Sequence, residues 1–320
     1  MRRKLMTRFQ STPCNAFTCF AAIALVCCVS VPFFAGKQQP QGEDEEVVRV
    51  NTDLIVLNAT VVNSKGEYLH HLRRADFELR EDGNKQTIST FSIEETPFAA
   101  VVLLDTSGSM EERLSIARAA AITFLDGLRT DDVAAVYKFD SKIKQVQDFS
   151  QSRDLAPIAY GLRAKGMTVL NDAVMRAAND LAARPEKRRA IIILSDGADT
   201  QSSASKSKAL ERALAVGATV YTVDMSDANN PAARAQAASG SGVLRELAVK
   251  SGGRYIATPG GTTMREAFAQ IVEELNNQYT LAYQSTNRLR DGRWRSIEVT
   301  VSRPPDASIR TRKGYRAPKS

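Results

Sequence analysis

Apolar positions along the chain change rhythm twice. Residues 47–69, "VVRVNTDLIVLNATVVNSKGEYL", alternate β-branched and polar positions and then turn at Asn63–Gly66, which predicts a half-buried strand and its return. The stretch "DFELREDGNKQTISTFSI" reads as a second hairpin across "EDGNK", with Phe77 and Leu79 on one face. No helical spacing occurs before residue 98, and Pro97 marks a boundary. From Phe98 to about Asn277 the rhythm alternates between continuous apolar runs and helical spacing. The runs are "FAAVVLL", "DVAAVYKF", "RAIIILS", "ATVYTVDM" and "GRYIATP". Between them lie "EERLSIARAAAITFLDGL", "NDAVMRAANDLAA", "SKALERALAVG", "GVLRELAVKSGG" and "MREAFAQIVEELNN". Continuous runs predict strands buried on both faces, hence a mostly parallel, doubly wound sheet. One hairpin, "AAVYKFDSKIKQVQDF", predicts an antiparallel edge strand.

After Asn277 the strand rhythm returns in "QYTLAYQS", "RWRSIEVTVSR" and "SIRTRKGY". These strands are too few for a stable sandwich of their own. Added to those of 47–96 they make about seven, the immunoglobulin-like count. The expected fold is therefore an α/β domain, residues 98–277, inserted in a split immunoglobulin-like β-sandwich built from 47–97 and 278–316. Trp294 and nearby tyrosines are expected in the sandwich core, and the basic run Arg288–Arg295 as a solvated hairpin.

The N-terminal segment changes the cellular picture. Arg2, Arg3, Lys4 and Arg8 precede the apolar stretch "AFTCFAAIALVCCVSVPFFAG", residues 16–36. That order predicts an export signal over 1–36, or an uncleaved membrane anchor. Residues 37–46, "KQQPQGEDEE", read as a linker. Export to a periplasm, cell envelope or medium is expected. The four leader bases account for four of the +7 formal charges, leaving +3. So small an excess argues against nucleic acid as a partner, and against membrane contact except through an uncleaved N-terminal segment. All four cysteines (Cys14, Cys19, Cys27, Cys28) lie in the leader. The folded part therefore has neither disulfides nor a thiolate metal site.

Candidate chemistry begins at "LLDTSGSMEE". Asp105 and Asp196 each follow an apolar run, so both fall at the carboxyl edge of the sheet, where doubly wound folds bind ligands. Thr168 sits in a loop before a helix expected to start near Asn171. Three loops thus offer Asp105, Ser107, Ser109, Thr168 and Asp196, all hard oxygen donors suited to Mg²⁺ or Mn²⁺. Asp172 falls in second-layer position or at the helix N-terminus. Ser109 and Glu112 also fit a capping box, so Ser109 reads equally as a helix cap. A serine nucleophile needs a base. The two histidines, His70 and His71, lie in the β part and read as surface residues, so no Ser-His-Asp site exists in the α/β domain. "ASGSGVLREL" reads as a flexible loop before a helix, with an anion at its glycines as the lesser alternative.

These residues resemble the von Willebrand factor type A domain with its metal-ion-dependent adhesion site. The resemblance covers about 98–277. It rests on D-x-S-x-S after the first strand, a threonine in a later loop and an aspartate after the fourth strand of the domain. It implies that Ser107 and Ser109 bind the metal directly, that Thr168 does so in the ligand-engaged state, and that Asp105 and Asp196 bind directly or through water. It also implies that an acidic residue of a protein partner takes the remaining position. Two carboxylates among three neutral hydroxyls would leave the cation electrophilic enough for that. The flanks "LRRADFELREDGNKQTISTF" and "RKGY" resemble exported bacterial proteins carrying this domain. The expected function is non-enzymatic, cation-dependent protein binding outside the cytoplasm. A metal-dependent hydrolase and a purely structural envelope protein are the alternatives.

Overall fold

The computed structural model describes residues 54–93, 96–153, 155, 167–226, 234–257 and 262–319. The expected leader (1–36) and linker (37–46) lie outside the described residues. The N-terminal flank supplies four strands: β1 (Leu54–Val62), β2 (Phe77–Glu81), β3 (Asn84–Gln86) and β4 (Ile88–Ile93). The β2–β3 turn works because Asp82 and Gly83 both take positive φ, 47° and 80°, as a two-residue hairpin turn requires. A three-residue 3₁₀ turn, Arg74–Asp76, is the only helical piece here among the described residues, against the expectation of none.

The strand–helix alternation follows as β5 (Phe98–Asp105), α1 (Leu114–Asp126), β6 (Val133–Phe139), β7 (Ile143–Ser150), α2 (Leu170–Ala182), β8 (Arg188–Ser195), α3 (Lys206–Ala215), β9 (Ala218–Asp224), α4 (Arg234–Ser251), β10 (Tyr255–Ile256) and α5 (Thr262–Asn276). The sheet order is β10-β9-β8-β5-β6-β7. All neighbours are parallel except β6 and β7. The expected antiparallel hairpin is therefore the edge. Every residue of β5 is buried because helices cover both sheet faces. Phe98, Ala100, Val102 and Leu104 enter one core with α1 and α5. Ala99, Val101 and Leu103 enter the other with α2, α3 and α4. A continuous apolar run is what a period-two backbone needs when both sides are dry.

The chain leaves β5 toward β6 and β7, then returns across it to β8 on the other side. The carboxyl ends of β5 and β8 therefore bound the crevice of a topological switch point.

The last strands are β11 (Tyr279–Gln284), β12 (Trp294–Val301), β13 (Ser308–Arg310) and β14 (Gly314–Arg316). They pair with the first four to give two sheets, β13-β1-β11-β4 and β14-β12-β2-β3. Each sheet thus mixes strands from both sides of the insertion. Leu57, Phe77, Leu79, Tyr279, Leu281, Tyr283, Ile297 and Val299, drawn from both sheets, share one core. Among the described residues there are eight strands where about seven are expected.

A buried polar knot ties this core to the α/β part. Glu274 of α5 is fully buried and pairs with Arg254 at 3.1 Å and with Arg310 of β13. It also accepts hydrogen bonds from Thr60 of β1 (3.2 Å) and Tyr221 of β9 (3.1 Å).

Three expectations are corrected. Trp294 is 40% exposed and not in the core, because it takes an outward position of β12 while Arg295 and Ile297 point in. Residues 285–293 form a loop and not a hairpin, and Arg295 at its end is buried. "ASGSG" lies inside α4, which leaves no loop or helix N-terminus there to hold an anion.

Candidate metal centre

Strand β5 ends by burying a carboxylate. Asp105 pairs in register with Phe139 of β6, and Thr106 N–H donates to the Phe139 carbonyl at 2.8 Å, so the ladder continues one residue past the aspartate. The Asp105 side chain then folds over its own turn. Oδ1 accepts from Ser107 N–H at 2.9 Å, and Oδ2 accepts from Ser195 Oγ at 2.5 Å. Ser195 ends β8 on the other side of the switch point. Its hydroxyl also accepts from Gly197 N–H at 2.9 Å, linking the two strand ends.

The serines turn toward each other. Ser107 is extended (φ −67°, ψ 167°) before a 3₁₀ segment, Gly108–Arg113, that leads into α1. This sets Ser107 Oγ and Ser109 Oγ 3.2 Å apart. Ser109 is therefore not the cap expected from its spacing to Glu112. The N-cap position falls on Ser107, whose side chain makes no capping bond.

The third loop is lashed to the second. Thr168 N–H donates to Thr200 Oγ1 at 2.9 Å, and its carbonyl accepts from Thr200 N–H (2.9 Å) and Gln201 N–H (3.1 Å). Val169 N–H donates to the Asp140 carbonyl at the start of the β6–β7 turn. Asp172, in the first turn of α2, accepts from Ser203 and Ala204 N–H, both at 2.8 Å. Asp196 turns its Oδ1 to Ala198 N–H at 3.0 Å. The five predicted residues thus stand on three loops at one edge. Asp105, Ser107 and Thr168 are buried, Asp196 half-buried and Ser109 exposed.

The electrostatics set these loops apart. Burial, reinforced by the nearby charge of Asp196, pushes the Asp105 carboxyl up to about 6, against the pull of the Ser107 and Ser195 hydrogen bonds. Lysine and arginine are not among the main influences on that buried carboxylate. Nor do three or more His, Cys, Asp or Glu side chains cluster among the described residues, so any cation here would rest on two carboxylates and hydroxyls. This donor set, with a buried carboxylate at its base, fits a hard divalent ion.

Sequence reasoning passed over three supports. Ser195 bonds Asp105 directly, and its only sequence signal is its place between the apolar run and Asp196. Gly197 and Gly240 let α4 touch the Asp196 turn. A Cβ on Gly240 would stand 2.1 Å from the Asp196 carbonyl oxygen, and one on Gly197, where φ is +77°, 2.3 Å from the Gly240 oxygen. Asp224, ending β9, anchors the same helix by accepting from Ser241 of α4, and it also accepts from Tyr255 OH of β10 at 2.7 Å.

Fold and edge define a doubly wound α/β domain with an oxygen-rich switch-point crevice. The family model described as the von Willebrand factor type A domain matches residues 100–198. That stretch of the chain is similar to the von Willebrand factor type A domain. The chain is similar to the uncharacterized protein sll0103 of Synechocystis sp., 28% identical over 194 residues that make up 57% of this chain. The chain spans 42% of the length of that curated relative. Among solved structures, a von Willebrand factor type A protein from Catenulispora acidiphila is 14% identical, with a TM-score of 0.46, covering 85% of this chain and 75% of that one. An aerotolerance-related membrane protein from Bacteroides fragilis is 19% identical, with a TM-score of 0.45, covering 56% and 98%.

Proposed function

We propose that this protein is a non-enzymatic, cation-dependent protein-binding module that works outside the cytoplasm. Asp105, Ser107, Ser109, Thr168 and Asp196 would hold Mg²⁺ or Mn²⁺, with Asp172 and Ser195 keeping the loops in place. The ion's chemistry would be to accept a carboxylate from a partner protein. The observation that carries this reading is the buried Asp105 carboxylate beside two hydroxyls 3.2 Å apart at the switch point. The β part would serve as an immunoglobulin-like stalk. Its strands lead into the amino end of β5, while the candidate site lies at the carboxyl end, seven residue steps or about 23 Å away. Extracytoplasmic placement rests on the basic-then-apolar pattern of residues 1–36. Among the described residues no helix is long and apolar enough to cross a membrane.

The test is thermal unfolding with and without Mg²⁺. A ligand at a hundred times its Kd stabilises by about 2.7 kcal/mol. The wild type should therefore gain several degrees in millimolar Mg²⁺ or Mn²⁺, and Asp105→Ala should gain none. A wild type indifferent to both ions refutes the reading.

A further inference from the structure

The loop between β11 and β12 presents a combination that the α/β site does not use. Residues 287–295 read "NRLRDGRWR", with four arginines against one aspartate. The backbone of this loop is held. Leu289 N–H donates to Asn287 Oδ1 at 3.2 Å, Arg293 N–H to Asp291 Oδ1 at 2.9 Å, and Gly292 N–H to the Pro318 carbonyl at 3.2 Å. Arg295 lies beneath it, 4% exposed, with its guanidinium on Asp291 Oδ1 (2.9 Å) and the Leu289 carbonyl (3.4 Å). Asp291 also has Arg293 Nε 3.8 Å from its Oδ2. The single acid is thus taken up from below, while the Arg288 and Arg293 side chains remain exposed.

Two large apolar side chains stand among them. Leu289 is 66% exposed, on a backbone whose hydrogen bonds fix it outward. Trp294 is 40% exposed and lies over Gly314, where a Cβ would come within 2.5 Å of its ring. Arg316, the cross-strand partner of Trp294, extends the basic face beside its ion pair with Glu211. Lys319 borders it against Gly292.

We infer that this loop docks on an anionic lipid surface, with Leu289 and Trp294 entering the headgroup layer and Arg288 and Arg293 meeting lipid phosphates. Charge complementarity selects an anionic partner. The apolar pair selects a lipid layer over a soluble polyanion, which arginines alone would satisfy. A leucine held in water by an ordered loop is accounted for where the partner offers hydrocarbon, and a tryptophan ring favours the boundary between hydrocarbon and water. This contact is additional to any made by residues 1–36 and independent of the metal site, and it departs from the expectation drawn from net charge because four arginines against one aspartate are concentrated in one loop.

Trp294 is the only tryptophan of the 320 residues, so its emission reports this loop in the full chain even if the N-terminal segment also binds lipid. Vesicles of equimolar phosphatidylglycerol and phosphatidylcholine should shift the emission to the blue, and brominated lipids should quench it. Phosphatidylcholine alone should do neither. Arg288→Gln and Arg293→Gln should each weaken vesicle binding about fivefold. Leu289→Asp should weaken it tenfold or more with an unchanged thermal midpoint, since the side chain supports no core. The inference is overturned if the emission stays fixed on the anionic vesicles, if dextran sulfate reproduces the shift, or if Leu289→Asp binds as the wild type does.

Discussion

Two glycines of α4, two residues apart, should respond to the same added methyl group with opposite signs. At Gly242 a Cβ meets nothing within 4 Å, so Gly242→Ala should add about 0.5–1 kcal/mol through helix propensity. At Gly240 the Cβ would stand 2.1 Å from the Asp196 carbonyl oxygen and 3.1 Å from the Gly197 carbonyl carbon. Ordinary contact requires a retreat of about 1 Å, and the obstacle is backbone, which no rotamer change relieves. The usual cost of such overpacking is about 1–3 kcal/mol, which outweighs the propensity gain. Either α4 lifts from the sheet or the Asp196 turn gives way. Asp224 and Thr222 of β9 hold α4 through the Ser241 hydroxyl and the Leu244 carbonyl, so α4 is the better anchored of the two. The turn should move, and with it a proposed ligand. Urea unfolding should place Gly240→Ala below the wild type and Gly242→Ala above it. The Mg²⁺-dependent rise in melting temperature should shrink in the first and persist in the second. Equal stability of the two variants, or an undiminished Mg²⁺ response in Gly240→Ala, would refute the argument that this contact positions Asp196.

Glu274→Ala should cost about 3 kcal/mol in urea unfolding, near the low end for a broken buried pair, because the Arg254 and Arg310 side chains it orphans keep 30% and 32% exposure; a loss under about 1 kcal/mol would mean that the knot joining the two parts is dispensable. Glu246 is held below its ordinary 4.5 by Lys206 first and Lys250 second, so its contribution is present above that pH and fades as pH falls through the lowered value. Glu246→Gln should therefore flatten the acid limb of the stability–pH profile, and an unchanged limb would show that these exposed pairs contribute nothing.

The candidate site was legible in part. Asp105 and Asp196 could be placed because a carboxylate right after an apolar run must fall at the carboxyl edge of a parallel sheet, whatever the rest of the chain does. Ser195 was not legible as a partner of Asp105, because their contact depends on β8 returning beside β5, 90 residues later. The Ser109 cap failed for a related reason. Its spacing to Glu112 fits a helix start, yet the turn closes two residues earlier, at Ser107, and brings the two hydroxyls together.

Periodicity by itself determined most of the element types, the parallel sheet with its one antiparallel edge, and the return of strand structure after residue 277. Those features depend on which faces of a local segment must be dry, and that is written in neighbouring residues. Tertiary structure alone decided which strands share a sheet across the insertion, where Trp294 points, and that α4 touches the Asp196 turn through two glycines. These outcomes depend on contacts between segments far apart in sequence, where a single Cβ or one inward-facing Arg295 changes the result and leaves the hydrophobic rhythm untouched.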